Sequence, residues 1–346
     1  MESPEDWKPK NKSVIVWALD PFETATIPDQ SMIRFISAWF TALFFEIQPV
    51  YVLPKTGSAP RKAIEIRAAE ESGLRYLQEF APQLVRPLEI LHARSSLRKN
   101  EVLELLAFAE LVDAPLIMVS SHGRKGLEKV FFGSFAENLL ARSTKPLFFL
   151  THSELGADEP LKPIHVLFAT DFSEESLTAF KNFLHTTSVR KPKGLDMGLT
   201  IFNSISIPSL ALSADCGLPL SDDFFAEQTK WACAEGSKLV AHAEMLGIQT
   251  KLRVTNGGIG TDTGAMILAA AAKERASLIV MASGRSSMTD TLLTMLTAIV
   301  SGNIAREVFR SNRYAVWIYG PNAIDNSAML GTRNLQQLGF LEPKEH

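Results

Sequence analysis

Cysteine is scarce in this chain: Cys216 and Cys233 are the only 2 among 346 residues. Two thiols support neither a disulfide framework nor a zinc ribbon, and they read as free thiols in a reducing compartment. An excess of one charge is also lacking, since 35 Lys and Arg stand against 38 Asp and Glu for a net charge of −3. No overall basic field exists to draw in nucleic acid or an anionic membrane. Long apolar runs are missing too. The stretches 35–45 and 265–272 fall short of the roughly 18 residues needed to span a bilayer. The opening residues, MESPEDWKPKNK, are charged and have no apolar centre, so no secretory leader is expected. Catalytic signatures are equally sparse. No serine lies in a G-x-S-x-G elbow, no P-loop pattern occurs, and no histidine pair has metal-ligand spacing. The expectation is a cytoplasmic protein that works by binding. Slow ATP hydrolysis is the enzymatic alternative, although the sequence places no general base for it.

What is present is material for two cores. Hydrophobic residues make up 46% of the chain and charged residues 21%, a globular balance at a length suited to two domains. In the first half, the short apolar runs 13–19, 47–53, 87–93, 115–120 and 146–150 read as strands. Between them, 30–45, 61–79, 100–112 and 134–142 have helical composition, with Asn100 a candidate N-cap. The polar segment 151–163 holds two prolines and a glycine, which is linker chemistry. The same order then restarts. Strands are expected at 164–170, 199–205, 250–254, 278–283 and 315–319. Helices are expected at 172–185, 224–246 and 264–274, with 288–310 helical in part. The glycine-rich run 256–264 reads as a loop leading into a helix, and 209–225 as an inserted segment. Strict alternation of strand and helix argues for βαβ units and a doubly wound parallel sheet in each half. A repeat of this length is a duplicated domain. The expected limits are 1–152 and 164–320, joined by 153–163 and followed by a polar, loose tail, 321–346.

Ligands of open parallel sheets bind beyond the carboxyl ends of the strands, where the strand order reverses. In the first half that rule selects Asp20, the region of Val52, and the segment after Val119. There Ser120-Ser121-His122-Gly123 is followed by nine residues and then Gly133-Ser134 at the start of a helix. Gly123 permits a tight turn close to a ligand. The free N–H groups and positive dipole of a helix opened by Gly133 and Ser134 favour phosphate. Arg124, Lys125 and Lys129 lie between the two glycines and add positive charge. Simpler roles stand beside these. Asp20 and Asp171 are also good helix caps, His122 also suits a loop-stabilising hydrogen bond, and the glycines also suit plain turns.

The run SSHGRKGLEKVFFGSFAENLLARSTKPLFFL resembles the nucleotide-binding signature of the universal stress protein family, in which Gly, two residues, Gly, nine residues, Gly and Ser or Thr follow one another. Gly123, Gly133 and Ser134 match that pattern, and Ser120 stands where the family has its first glycine. Asp20 takes the place of the family's aspartate at the end of the first strand, and TDFSEES (170–176) matches the same opening in the second half. The resemblance implies two Rossmann-like domains in tandem, each a five-stranded sheet of order 3-2-1-4-5 with helices on both faces. It implies ATP, with magnesium beside its phosphates, in the first domain. Ala18, Leu19, Asp20 and Val52 would lie near base and ribose; Val119, Ser120, His122, Gly123, Gly133, Ser134 and Phe135 would line the phosphate side. In the second half the counterparts are Thr170, Asp171, Gly284, Ser301 and Gly302, with a longer and more apolar loop between the glycines. The resemblance further implies pairing through the fifth strands, inside the chain as a pseudo-dimer or between chains as a homo-oligomer. A stress-response protein regulating an unidentified protein partner is the expected role. A partner-binding module without a nucleotide is the alternative, favoured by Ser120 and by the losses in the second half.

Overall fold

The computed structural model describes residues 13–22, 36–37, 39–41, 43, 45–55, 59–79, 85–94, 98–120, 134–150, 164–188, 197–207, 222–283, 304–305, 307–308, 311 and 313–324. The first half contributes strands β1 (Ser13–Ala18), β2 (Phe45–Leu53), β3 (Glu89–His92), β4 (Ile117–Ser120) and β5 (Leu147–Leu150). Its helices are α1 (Ala59–Glu79), α2 (Arg98–Leu111) and α3 (Ser134–Arg142). The second half contributes β6 (Ile164–Ala169), β7 (Met197–Ile207), β8 (Gln249–Ile259), β9 (Leu278–Ala282) and β10 (Ala315–Tyr319). Its helices are α4 (Glu174–Ser188), α5 (Asp222–Met245) and α6 (Thr263–Glu274). No helix among the described residues is long and apolar enough to cross a membrane.

All ten strands form one sheet, in the order β3-β2-β1-β4-β5-β10-β9-β6-β7-β8. Each half thus runs 3-2-1-4-5, and the second half is the first turned about the middle of the sheet. Every pairing within a half is parallel. The join is antiparallel, with Phe148 opposite Trp317 and Phe149 opposite Val316. This pairing covers what would otherwise be two apolar strand edges.

Side-chain alternation along the strands builds a core on each face of the sheet. Ile15 and Trp17 join one cluster while Val16 joins the other. At the join, Phe148 and Trp317 face one way, and Phe149, Val316 and Ile318 the other. The Trp317 ring lies 5.8 Å from Trp39, 6.1 Å from Phe148 and 5.5 Å from Phe183, so rings from both halves share one core.

Three local readings change. Helix α2 begins at Arg98, which puts Asn100 inside its first turn and not at its N-cap. Strand β8 runs on through Gly257 and Gly258 to Ile259, because β7 is long enough to pair with it past a bulge at Ile205/Ser206. The run 256–264 still leads into a helix, with Asp262 as N-cap of α6. The segment after Gly320 opens as a helical turn at 321–324, in which Ala323 and Ile324 are buried. There Asn322 Nδ2 donates to Ala141 O at 3.0 Å, tying this turn to the end of α3. The inserted segment expected at 209–225 falls largely outside the described residues, as does most of 288–310.

Candidate functional site

The strand order reverses between β1 and β4 in the first half and between β6 and β9 in the second. At the first of these, Ala18 lies in register with Val50 on one side and Val119 on the other. Leu19 N donates to Val50 O at 3.0 Å, the last ladder bond before the chain leaves the sheet. The carboxylate of Asp20 then accepts from Phe22 N at 3.0 Å, so Asp20 organises a turn through Pro21. Phe22 stands edge-on to Tyr51 at 5.6 Å. The Tyr51 phenol is pushed up to about 12, first by burial and then by the carboxylates of Asp20, Glu65 and Glu101. It is held protonated, as a hydrogen-bonding group at the mouth of the site.

Ala18, Leu19, Asp20, Val52, Val119 and Ser120 therefore share one end of the sheet. Val119 is buried and Ser120 closes β4 in register with Leu150. Ser134 opens α3, and Phe135, in the first turn, packs against the core that contains Val16 and Val119. His122, Gly123 and Gly133 lie outside the described residues. Tyr51 was not singled out by the sequence, although it immediately precedes Val52.

The second switch point repeats this strand register with different side chains. Ala169 is in register with Phe202 and Met281, and Thr170 N donates to Phe202 O at 2.9 Å. The Thr170 hydroxyl accepts from Phe172 N at 2.9 Å and from the Ser176 hydroxyl at 2.8 Å. Asn203 Nδ2 donates to Thr170 O at 2.9 Å. The Asp171 carboxylate accepts from Ser173 N at 3.0 Å and from Ser173 Oγ at 2.6 Å. Ser173 Oγ in turn accepts from Ser176 N at 3.2 Å, which makes Ser173 the N-cap of α4. Asp171 is one step removed: it orients the residue that caps.

Between them Phe172 adopts φ 60°, a left-handed conformation costing about 1–3 kcal/mol in a bulky residue. Hydrogen bonds on either side hold it, and its ring is buried edge-on to Trp231 at 5.6 Å. With the Phe172 ring turned inward, Asp171 is left exposed at the strand end.

Here the described residues enclose a cleft of about 90 Å³, open to solvent. Ala169, Phe202, Ile267 and Met281 line it with apolar groups; Thr170, Asp171, Ser173, Ser176, Asn203, Ser204 and Thr263 line it with polar ones. Thr170 and Asp171 were expected at this place, whereas Asn203, Ser204 and Thr263 were not. Asn203 and Ser204 come from the second half of β7 and Thr263 from the start of α6, and no local signal in the sequence marks them. Gly284, Ser301 and Gly302 lie outside the described residues. No group of three His, Cys, Asp or Glu that could hold a metal occurs among the described residues.

The model of the universal stress protein family matches residues 46–150. A universal stress protein from Archaeoglobus fulgidus DSM 4304 is 17% identical, with 90% of this chain and 99% of that chain covered and a TM-score of 0.56. A functionally unknown protein from Pseudomonas aeruginosa PAO1 is 14% identical, with 93% of this chain and 97% of that one covered and a TM-score of 0.52. At these identities the two structures speak for the fold. No curated protein matches the chain. Residues 46–150 are thus similar to the universal stress protein family, and they are carried on a sheet in which the five-strand order occurs twice.

Proposed function

We propose that the first half binds an adenine nucleotide, ATP, beyond the carboxyl ends of β1, β2 and β4, and that the chain acts as a nucleotide-responsive regulatory module in a stress response. One observation carries this reading: the register sets Ala18 beside Val119, so that Asp20 and Ser120 leave neighbouring strands where the strand order reverses. The family match supports it, because 46–150 includes the whole glycine-bearing segment between β4 and α3. Asp20 and Val52 would meet base and ribose. Ser120, His122, Gly123, Gly133, Ser134 and Phe135 would meet the phosphates, with Arg124, Lys125 and Lys129 supplying charge. Magnesium would arrive with the phosphates.

The units of this reading are 1–152 and 164–320, with 153–163 as linker. Their pairing through β5 and β10 occupies the edges through which separate chains would otherwise join. Further association would use other faces, and a protein partner would read the state of the first site.

The test is to heat-extract the purified protein, chromatograph the supernatant, and follow thermal unfolding with ATP and magnesium. The expected result is a co-purified adenine nucleotide or a rise in Tm with MgATP, absent in Gly133→Asp. No nucleotide, and no shift at saturating ATP, would point to a partner-binding module without a nucleotide. Ser120, where a glycine would leave more room, is the residue that favours that second reading.

A further inference from the structure

The cleft in the second half has the position of a nucleotide site but not its chemistry. Both helix N-termini beside it already have oxygen partners. Ser173 caps α4. On α6, the Asp262 carboxylate accepts from Gly264 N at 2.8 Å and from Ala265 N at 3.4 Å. The Glu307 carboxylate lies against Gly264 on the same first turn, where the lack of a Cβ makes room for it. An incoming anion would meet helix ends already capped by side-chain oxygens, and three carboxylates nearby, those of Asp171, Asp262 and Glu307. No Lys or Arg is among the described residues that line the cleft.

The polar group left unsatisfied has the opposite preference. Asn203 is 7% exposed and lines the cleft. Its Nδ2 is engaged by Thr170 O, and its Oδ1 is buried with no hydrogen-bond partner. A buried acceptor left unpaired costs about 1–3 kcal/mol, which a ligand N–H or O–H would recover. The floor around it is apolar: Ala169, Phe202, Ile267 and Met281 are all buried. The cleft of about 90 Å³ is open to solvent, so a compact single ring would seat in it with part of its surface exposed.

We infer that the second half carries its own site for a compact, apolar-bodied molecule bearing an N–H or O–H donor, neutral or cationic and free of phosphate or carboxylate. The donor meets Asn203 Oδ1, and a positive charge on it is favoured by Asp171. This site does not depend on the nucleotide reading of the first half.

Three probes of one shape test it: benzylamine, benzyl alcohol and benzoate, titrated into the full-length protein with the backbone amides of Thr170, Asn203 and Thr263 followed by NMR. Benzylamine and benzyl alcohol are expected to move these amides saturably, and benzoate to bind at least about tenfold more weakly. Asn203→Leu is expected to weaken both donor probes by about tenfold with the far-UV circular dichroism unchanged. Benzoate binding as tightly as benzylamine would overturn the inference, as would no saturable shift with either donor. Unchanged donor binding in a folded Asn203→Leu would do the same. Should that variant not fold, the ranking of the three probes on the natural chain decides alone.

Discussion

In the first half Leu19 N donates to Val50 O at 3.0 Å, and in the second Thr170 N donates to Phe202 O at 2.9 Å. Asp20 then accepts from Phe22 N at 3.0 Å, and Asp171 from Ser173 N at 3.0 Å. Counted from these bonds, Tyr51 in the first half stands where Asn203 stands in the second, Val52 where Ser204 stands, and Ser120 where Ala282 stands. The parallel ladder is the same at the two switch points, but the backbone parts just beyond it, where Pro21 keeps a negative φ and Phe172 takes φ 60°. The side chains at these strand ends are not bound by the ladder and differ. On the proposed reading, one half takes phosphate on the segment after its fourth strand, and the other has a hydroxyl-rich cleft after its first and second that disfavours anions. Shared architecture therefore predicts where each half binds, and only the side chains predict what.

The comparison breaks most easily at the seam. Trp317→Ala removes a fully buried ring that packs on rings of both halves and should cost about 3–5 kcal/mol. Both halves should lose that stability together, seen in urea unfolding combined with hydrogen exchange. Exchange that accelerates in the second half alone would make the halves independent folding units.

A smaller effect separates the two strand ends. Thr170→Val keeps the shape but leaves Phe172 N and the Ser176 hydroxyl without their acceptor, for about 1–3 kcal/mol. The loss should appear in denaturant midpoints, with Phe172 released from its left-handed conformation. An unchanged midpoint would mean that Thr170 does not hold that turn.

The mildest contrast is in pH. His165 in β6 occupies the place that Val14 has in β1. Its pKa is lowered, first by burial and then by the Lys251 charge, against a smaller opposing pull from Glu274. The folded chain therefore resists protonating His165, and the unfolded chain takes up the proton first. The stability this group supplies is present above pH 6.5, declines as pH falls below 6.5, and levels off beneath the lowered folded value. His165→Val should flatten the Tm profile over that window. A profile as steep as before would assign the dependence to other groups.

Much of the fold was legible because short apolar runs, helical segments and one polar linker follow each other twice in the same order. Strand β8 was harder. Gly257 and Gly258 look like a turn by composition, yet Gly258 pairs with Ser206 past a bulge, a long-range match that local sequence does not announce. Asp171 was legible as a strand-end residue, but its relation to Ser173 depends on the strained φ of Phe172. Asn203 was not legible at all. A polar residue near the end of a buried strand acquires meaning only when the register places it beside Thr170. The helical turn at 321–324 escaped for a similar reason: its partner, Ala141, lies in the other half.

The most direct test of the account is titration calorimetry with ATP and magnesium on the natural chain, on Gly133→Asp and on Asn203→Leu. The account predicts one ATP per chain, lost in Gly133→Asp and retained in Asn203→Leu. Two ATP per chain, or binding that survives Gly133→Asp and disappears in Asn203→Leu, would contradict it.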